Sequence, residues 1–365
     1  MTPAPSGGLA LITGGAGFIA SNVADRLLRD GWRVRLFDNL SRSGVEQNVA
    51  WLKQTHAGYT SRGEPKVELV LGDVRDARAI ARSVAGVNRV FHFAAQVAVT
   101  TSLVNPTLDF EVNAGGTLNL LEAIRALDDR PSLLFTSTNK VYGHLRDLPL
   151  RVSSRRYEPE DRRVKDHGIS EARPLDFHSP YGCSKGAAEQ YVLDYARTFA
   201  IPATVFRMSC IYGPHQFGTE DQGWVAHFII QALKRAPITL YGDGMQVRDV
   251  LFVGDLVEAM MRAHDCIDQI TGEAFNIGGG RASTVSLLEL IDVIGDLLGR
   301  RLVTRLEPWR TADQRYYVSD TSKFQRATGW TPRVSVAEGV ERLTAWLASC
   351  GTTPSAALAG TQVAS

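Results

Sequence analysis

The stretch that most constrains this chain is a short apolar run, Leu9 to Thr13, that breaks into Gly14-Gly15-Ala16-Gly17-Phe18-Ile19-Ala20 and continues as an amphipathic segment, Ser21 to Arg29. Strand, glycine turn and helix follow in that order. Small residues at 14, 17 and 20 let the backbone turn sharply, approach a pyrophosphate and seat the helix on its strand. The helix start then offers the phosphates unpaired N–H groups and a partial positive charge, which makes Gly14, Gly17, Phe18 and Ile19 cofactor-binding candidates. Tight turns imitate such a pattern when it stands alone. The next strand, Arg33 to Phe37, answers that objection. It ends in Asp38, twenty-four residues after Gly14, where a carboxylate accepts hydrogen bonds from the adenosine ribose hydroxyls and repels a 2′-phosphate. NAD is favoured over NADP. Asn39, Ser41 and Arg42 join the same set, and Arg42 alone would accommodate the extra phosphate.

The βα alternation continues. Val67 to Leu71 ends in Gly72-Asp73-Val74, and Arg89 to Phe93 ends in Ala94-Ala95-Gln96. In a doubly wound parallel sheet ligands bind outside the carboxyl ends of the strands, so Asp73, Val74, Phe93, Ala94 and Ala95 are cofactor candidates. Asp73 is expected to face the adenine, and the two alanines to let backbone pass close by. His92 reads as a satisfied core histidine. A helical pattern from Phe110 through Ala126 carries Asn113, a further cofactor candidate whose amide can reach between strands. The apolar strand from Ser132 to Phe135 then delivers Thr136-Ser137-Thr138-Asn139-Lys140-Val141-Tyr142-Gly143.

Chemistry enters with Phe177-His178-Ser179-Pro180-Tyr181-Gly182-Cys183-Ser184-Lys185. On a helix, Tyr181 and Lys185 lie on one face. A cation beside a phenol that ordinarily titrates near ~10 favours the phenolate, and so a general base. Tyr181 and Lys185 are therefore catalytic and cofactor-binding candidates. Thr138 is the third catalytic candidate, since its hydroxyl can hold both the substrate oxygen and the phenol. Each feature alone also fits a solvated helix start or ordinary turn chemistry; the combination carries the reading.

A chain of 365 residues, 44% hydrophobic, is long enough for two domains or one large α/β unit with an appendage. We expect a Rossmann-type doubly wound α/β domain over residues 1–206, with a loop insertion over 145–176, then a smaller α+β substrate domain mainly over 207–350 with segments returning to the sheet. A flexible tail over 351–365 completes the chain. The insertion carries seven arginines and three prolines and is expected to be a solvated loop beside the site, of the kind that serves as a lid. Forty basic against 39 acidic residues leave no global field for nucleic acid or an anionic membrane. Neither is expected as a partner. Cys183, Cys210, Cys266 and Cys350 show no metal spacing, no metal is expected, and the N-terminal residues read as cytoplasmic rather than secretory. Arg248 and Arg310 are the expected diphosphate ligands, because a guanidinium fork matches two phosphate oxygens, and Asp313 is expected beside them as a nucleotide anchor.

Together these motifs resemble the extended short-chain dehydrogenase/reductase superfamily, specifically its NAD-dependent nucleotide-sugar epimerases and dehydratases. Thr138 to Gly143, His178 to Lys185, Asp221 to Val225, Gln246 to Val250 and the long insertion are similar to the CDP-paratose (CDP-tyvelose) 2-epimerase branch. That resemblance implies Thr138, Asn139, Cys210, Arg248, Arg310 and Asp313 as substrate contacts, a nucleotide-sugar substrate with a CDP-hexose favoured, and a homodimer or homotetramer. Sugar 4,6-dehydratases carry an Asp-Glu pair where this chain has Asn139 and Lys140, and UDP-hexose 4-epimerases usually have asparagine where Cys210 stands. The implied activity is inversion at C2 of a CDP-linked deoxyhexose. A UDP-hexose 4-epimerase, a net NAD-dependent dehydrogenase and a non-catalytic NAD-binding regulator are the alternatives.

Overall fold

The computed structural model describes residues 7–61, 63–310 and 313–350; the expected flexible tail lies outside them. Seven strands form the main sheet: β1 (Leu9–Thr13), β2 (Arg33–Asp38), β3 (Val67–Leu71), β4 (Arg89–His92), β5 (Ser132–Thr138), β6 (Ala203–Met208) and β7 (Ala274–Ile277). Their order is 7-6-5-4-1-2-3, and every pairing is parallel. The expected doubly wound α/β fold is what the chain adopts. Thr13 pairs with Phe37 on one side and His92 on the other, so the strand order reverses beside the glycine turn. A crevice opens there at the carboxyl ends, which is where such sheets take their ligands.

All five residues of β1 are buried, as a strand covered on both faces by helices requires. The helix Phe18–Arg29 turns Ala20, Val23, Ala24 and Leu27 into one core layer. Leu120, Leu121, Ile124, Ala188 and Val192 form the layer on the opposite face of the sheet. Ala20 is buried in the first layer, so the extra methyl at the last position of the glycine motif is accommodated.

Beyond β6 the chain builds a second, mixed unit. The strand Val247–Phe252 lies between Thr284–Ser286, Tyr316–Tyr317 and Cys210–Tyr212. The helices Trp224–Leu233, Leu287–Leu297 and Val336–Ser349 share one apolar core beside it. The helix Val253–Asp265 and β7 return to the large sheet, where Leu256, Met260 and Phe275 join its core.

The insertion corrects the expectation of a solvated loop. It contains a hairpin, Leu150–Ser153 with Arg156–Pro159, and a short helix, Arg162–His167, capped by Asp161 accepting from the Val164 N–H at 3.1 Å. It packs rather than floats. Leu145, Leu148 and Ile169 bury against Val247, Tyr316 and Tyr317, and the Tyr157 hydroxyl donates to Asp243 at 2.5 Å. Its arginines are largely engaged: Arg151 with Glu158, Arg155 with Asp292 and Arg156 with Glu289. The segment clasps the two units together.

Candidate active site

Two cavities meet along the carboxyl edge of the sheet, of about 450 and 410 Å³, with Val97 in the wall of both. The first lies over the glycine turn. Gly14 has φ of 64°, and a Cβ there would stand 2.8 Å from the Ala94 nitrogen. Only glycine allows that conformation together with that approach. Asp38 closes the turn from the next strand, its two oxygens accepting from the N–H groups of Ala16 at 3.0 Å and Leu40 at 2.7 Å. The carboxylate is thereby fixed at the cavity wall.

Gly14, Gly17, Asp38, Asn39, Ser41 and Arg42 line this cavity, and so do Asp73, Val74, Phe93, Ala94 and Ala95. Asn39 donates to Asp73 at 3.1 Å, and hydrogen bonds from Arg75 hold the Asp73 carboxyl down at about 2. Phe18 and Ile19 stand outside the wall, but they open the helix whose first N–H groups lack intrahelical partners. Asn113 does not line the cavity either. Its amide accepts from Gln96 N at 2.9 Å and donates to Gln96 O and to Ser184, both at 3.0 Å, at a π-helical turn, Glu111–Gly115. It braces the wall from behind. His92 is neutral, held at about 3 by burial, with Thr13 and Thr117 hydroxyls on its two nitrogens at 2.6 and 3.0 Å.

The second cavity contains Thr138, Asn139, Lys140, Tyr181, Cys210, Arg248, Arg310 and Asp313 in its wall. The expected helix is present, Ser179–Phe199. Ser179 enters it at φ of 65°, so that Pro180 occupies the first turn and Tyr181 faces β5. The Tyr181 phenol and the Thr138 hydroxyl share a hydrogen bond that favours the phenolate. Lys185, 4% exposed, lies with Nζ 4.2 Å from the centre of the Phe135 ring.

The electrostatics correct the sequence reading. Tyr181 is pushed up to about 12 by burial, against the Thr138 hydrogen bond, with the Asp109 charge adding to the rise. Lys185 is itself pulled down to about 7 by burial, against Glu189 and Asp109. Removing water disfavours both charged forms at once, and four-residue spacing reveals nothing about solvent. Phenolate formation therefore needs more positive charge than the chain alone supplies.

Arg248 and Arg310 are paired within the wall of the second cavity. Arg248 donates to Asp313 at 2.6 Å and to the carbonyl of Gln314 at 2.5 Å. Arg310 stacks 3.9 Å over the Tyr241 ring and donates to the Glu220 carbonyl at 3.1 Å. Lys140 is held down at about 8 by burial, and Arg248 pushes in the same direction. Burial also raises the Cys210 thiol. Sequence reasoning missed Glu189 and Asp109, both fully buried behind the pair. Glu189 accepts from Ser137 at 2.7 Å and from Arg207 at 2.5 Å. Tyr142 accepts from Arg207 at 2.9 Å and donates to Asn276 at 2.8 Å.

A dinucleotide cleft that opens onto a hydroxyl, a phenol and an ammonium defines a nicotinamide-dependent enzyme that works on a hydroxyl-bearing carbon. The chain belongs to the NAD dependent epimerase/dehydratase family, which matches residues 10–278. It is 43% identical to a CDP-paratose 2-epimerase of Salmonella typhi over 93% of this chain and 99% of that protein. Among solved structures, the UDP-glucose 4-epimerase of Thermotoga maritima with UDP-glucose superposes with a TM-score of 0.78 at 29% identity, covering 94% of this chain and 99% of that one. The Thermus thermophilus UDP-glucose 4-epimerase in complex with NAD does so with a TM-score of 0.75 at 30% identity, covering 93% and 99%. The chain is an enzyme of the epimerase type and NAD is its cofactor. The Gly14 approach, the fixed Asp38 carboxylate and the unpaired helix start fit a dinucleotide.

Proposed function

We propose that this enzyme inverts C2 of a CDP-linked deoxyhexose, of the CDP-paratose to CDP-tyvelose kind, by transient oxidation and reduction from the opposite face. The observation that carries the reading is the 43% identity, over nearly both full lengths, to a CDP-paratose 2-epimerase. Asn139 and Lys140 support it: an amide and an ammonium stand in the cavity wall where elimination of water calls for an acid pair.

Asp38 would hold the adenosine ribose, the glycine turn the pyrophosphate, and Lys185 the nicotinamide ribose. Bound NAD supplies a hydride acceptor and a positive ring, and the same hydride is available for return. Tyr181 takes the proton of the substrate hydroxyl as hydride leaves the carbon bearing it, and gives a proton back to that oxygen on the return. Thr138 orients the oxygen between the two transfers. Arg248 and Arg310 grip the nucleotide diphosphate, Asp313 anchors the nucleotide end of the cavity through Arg248, and the Trp224 and Tyr241 rings offer faces to the base. The sugar must turn over between oxidation and reduction, so its own contacts are the looser ones.

Residues 1–206 would form the cofactor and catalytic unit and 207–350 mainly the substrate unit. Four free cysteines suit the cytoplasm, a reducing compartment. A homodimer or homotetramer is supported by exposed apolar side chains on three helices packed together: Val104 at 85%, Phe110 at 60% and Tyr191 at 46%. Sedimentation as a monomer at micromolar concentration would remove that part.

The function is tested with a panel of CDP-, UDP-, GDP- and dTDP-hexoses plus NAD, using NMR to identify the inverted centre. Turnover of CDP-deoxyhexose at C2 is expected. Preferred inversion of a UDP-hexose at C4 would replace the reading.

A further inference from the structure

Asp109 has no part in the mechanism above, yet it is fully buried directly behind the catalytic pair. It sits on the short helix Pro106–Phe110. Its Oδ1 accepts from Gln96 Nε2 at 2.7 Å and Asn113 Nδ2 at 3.3 Å, and its Oδ2 accepts the Ser184 hydroxyl. All three donors are neutral. Ser184 is the residue immediately before Lys185, on the same helix as Tyr181. Placing a carboxylate in a protein interior on neutral donors alone costs several kcal/mol unless a positive charge nearby offsets it.

The groups facing Lys185 can be taken element by element. From its own helix comes Glu189, already bound to Arg207 of β6 at 2.5 Å. From β4 comes His92, neutral between two threonine hydroxyls. From β5 comes the Phe135 ring under Nζ. One turn back is Tyr181, a neutral phenol until it reacts. The remaining negative charge is Asp109, whose field acts on both Lys185 and Tyr181.

We propose that Asp109 is a positioning counter-charge for the catalytic pair: it keeps Lys185 an ammonium in a dry site and, through Ser184, fixes the rotation of the helix that carries Tyr181 and Lys185. The same negative charge opposes ionisation of Tyr181. Asp109 thus sets at which pH the pair is jointly competent, phenolate beside ammonium. Neutralising it lets both groups lose their protons more readily. Both limbs of a pH–rate profile then move to lower pH, whereas loss of a purely structural contact scales the profile without moving it.

The activity arm of the test rests on the epimerase reading; the spectroscopic arm does not. Protein carrying [13Cε]lysine, with NAD bound, is titrated by NMR as wild type, Asp109→Asn and Ser184→Ala, with Lys185→Arg to assign the signal. Asp109→Asn is expected to move the Lys185 titration to lower pH by about one unit, while Ser184→Ala, which keeps the charge, leaves it in place. The pH–rate profile of Asp109→Asn shifts in the same direction. Coincident Lys185 titrations in wild type and Asp109→Asn overturn the proposal, whatever turnover shows. A shifted titration with no sugar nucleotide turned over sustains it and counts against the epimerase reading instead. Should Asp109→Asn fail to fold, Asp109→Ser supplies the neutral variant with the same two outcomes.

Discussion

Replacing Lys185 with methionine should alter how stability varies with pH, by an amount the structure allows to be worked out. The amine is 4% exposed and pulled down to about 7, chiefly by burial, whereas an unfolded lysine titrates near ~10.4. Between those values the unfolded chain binds more protons than the folded one. The unfolding free energy therefore rises with pH across the interval, from about 7 to about 10. Integrated for this one group from pH 7 to pH 9, the gain is about 2 kcal/mol. Lys140, held at about 8, adds roughly half as much in the same direction and is common to both proteins. The assay is urea denaturation of NAD-free protein at pH 7, 8 and 9, followed by tryptophan fluorescence. Wild type should gain about 2 kcal/mol more than Lys185→Met between pH 7 and pH 9. Equal gains within ~0.5 kcal/mol, a usual error of extrapolation, would mean that the Lys185 ammonium is not destabilised in the folded protein, and would contradict the downward shift by burial.

Tyr181→Phe removes the proton carrier and is expected to lower kcat by about 10²- to 10⁴-fold with NAD affinity retained; wild-type turnover in that variant would sink the assignment. Asp38→Ser removes the charge that repels a 2′-phosphate, so the ratio of NADP to NAD affinity should rise, with Arg42 available in the same wall; calorimetric titration with both cofactors reads it. Arg207→Met leaves Glu189 buried beside Ser137 without its cation and should cost about 3–5 kcal/mol of stability. A loss under ~1 kcal/mol on chemical denaturation would contradict the buried ion pair.

The first five strands of the sheet were legible because they are largely apolar runs, such as Leu9 to Thr13, that end in turn residues, and because Gly14 and Asp38 stand where strand order reverses. Tyr181 and Lys185 could be paired for a similar reason: helical spacing is geometry, and geometry survives burial. Their charges were not legible. Spacing alone predicts a phenol made more acidic by its neighbour, while the fold removes water from both groups and drives Tyr181 up and Lys185 down. The insertion was misjudged because its anchors are isolated apolar residues, Leu145, Leu148 and Ile169, whose partners Val247, Tyr316 and Tyr317 lie far along the chain. Glu189 was invisible because an acid on a helix is ordinarily on its wet side, and Asp109 stands just before the helical pattern that begins at Phe110.

The central claim is that one hydrogen leaves a sugar carbon and returns to the same carbon from the other face. Incubating the enzyme, NAD and a CDP-linked deoxyhexose in D₂O and following the sugar by NMR tests it directly. Inversion at C2 with the original hydrogen retained, no deuterium at any carbon and no accumulating NADH is the expected result. Deuterium at the inverted carbon would show removal and return of a proton instead of a hydride, and would contradict the account.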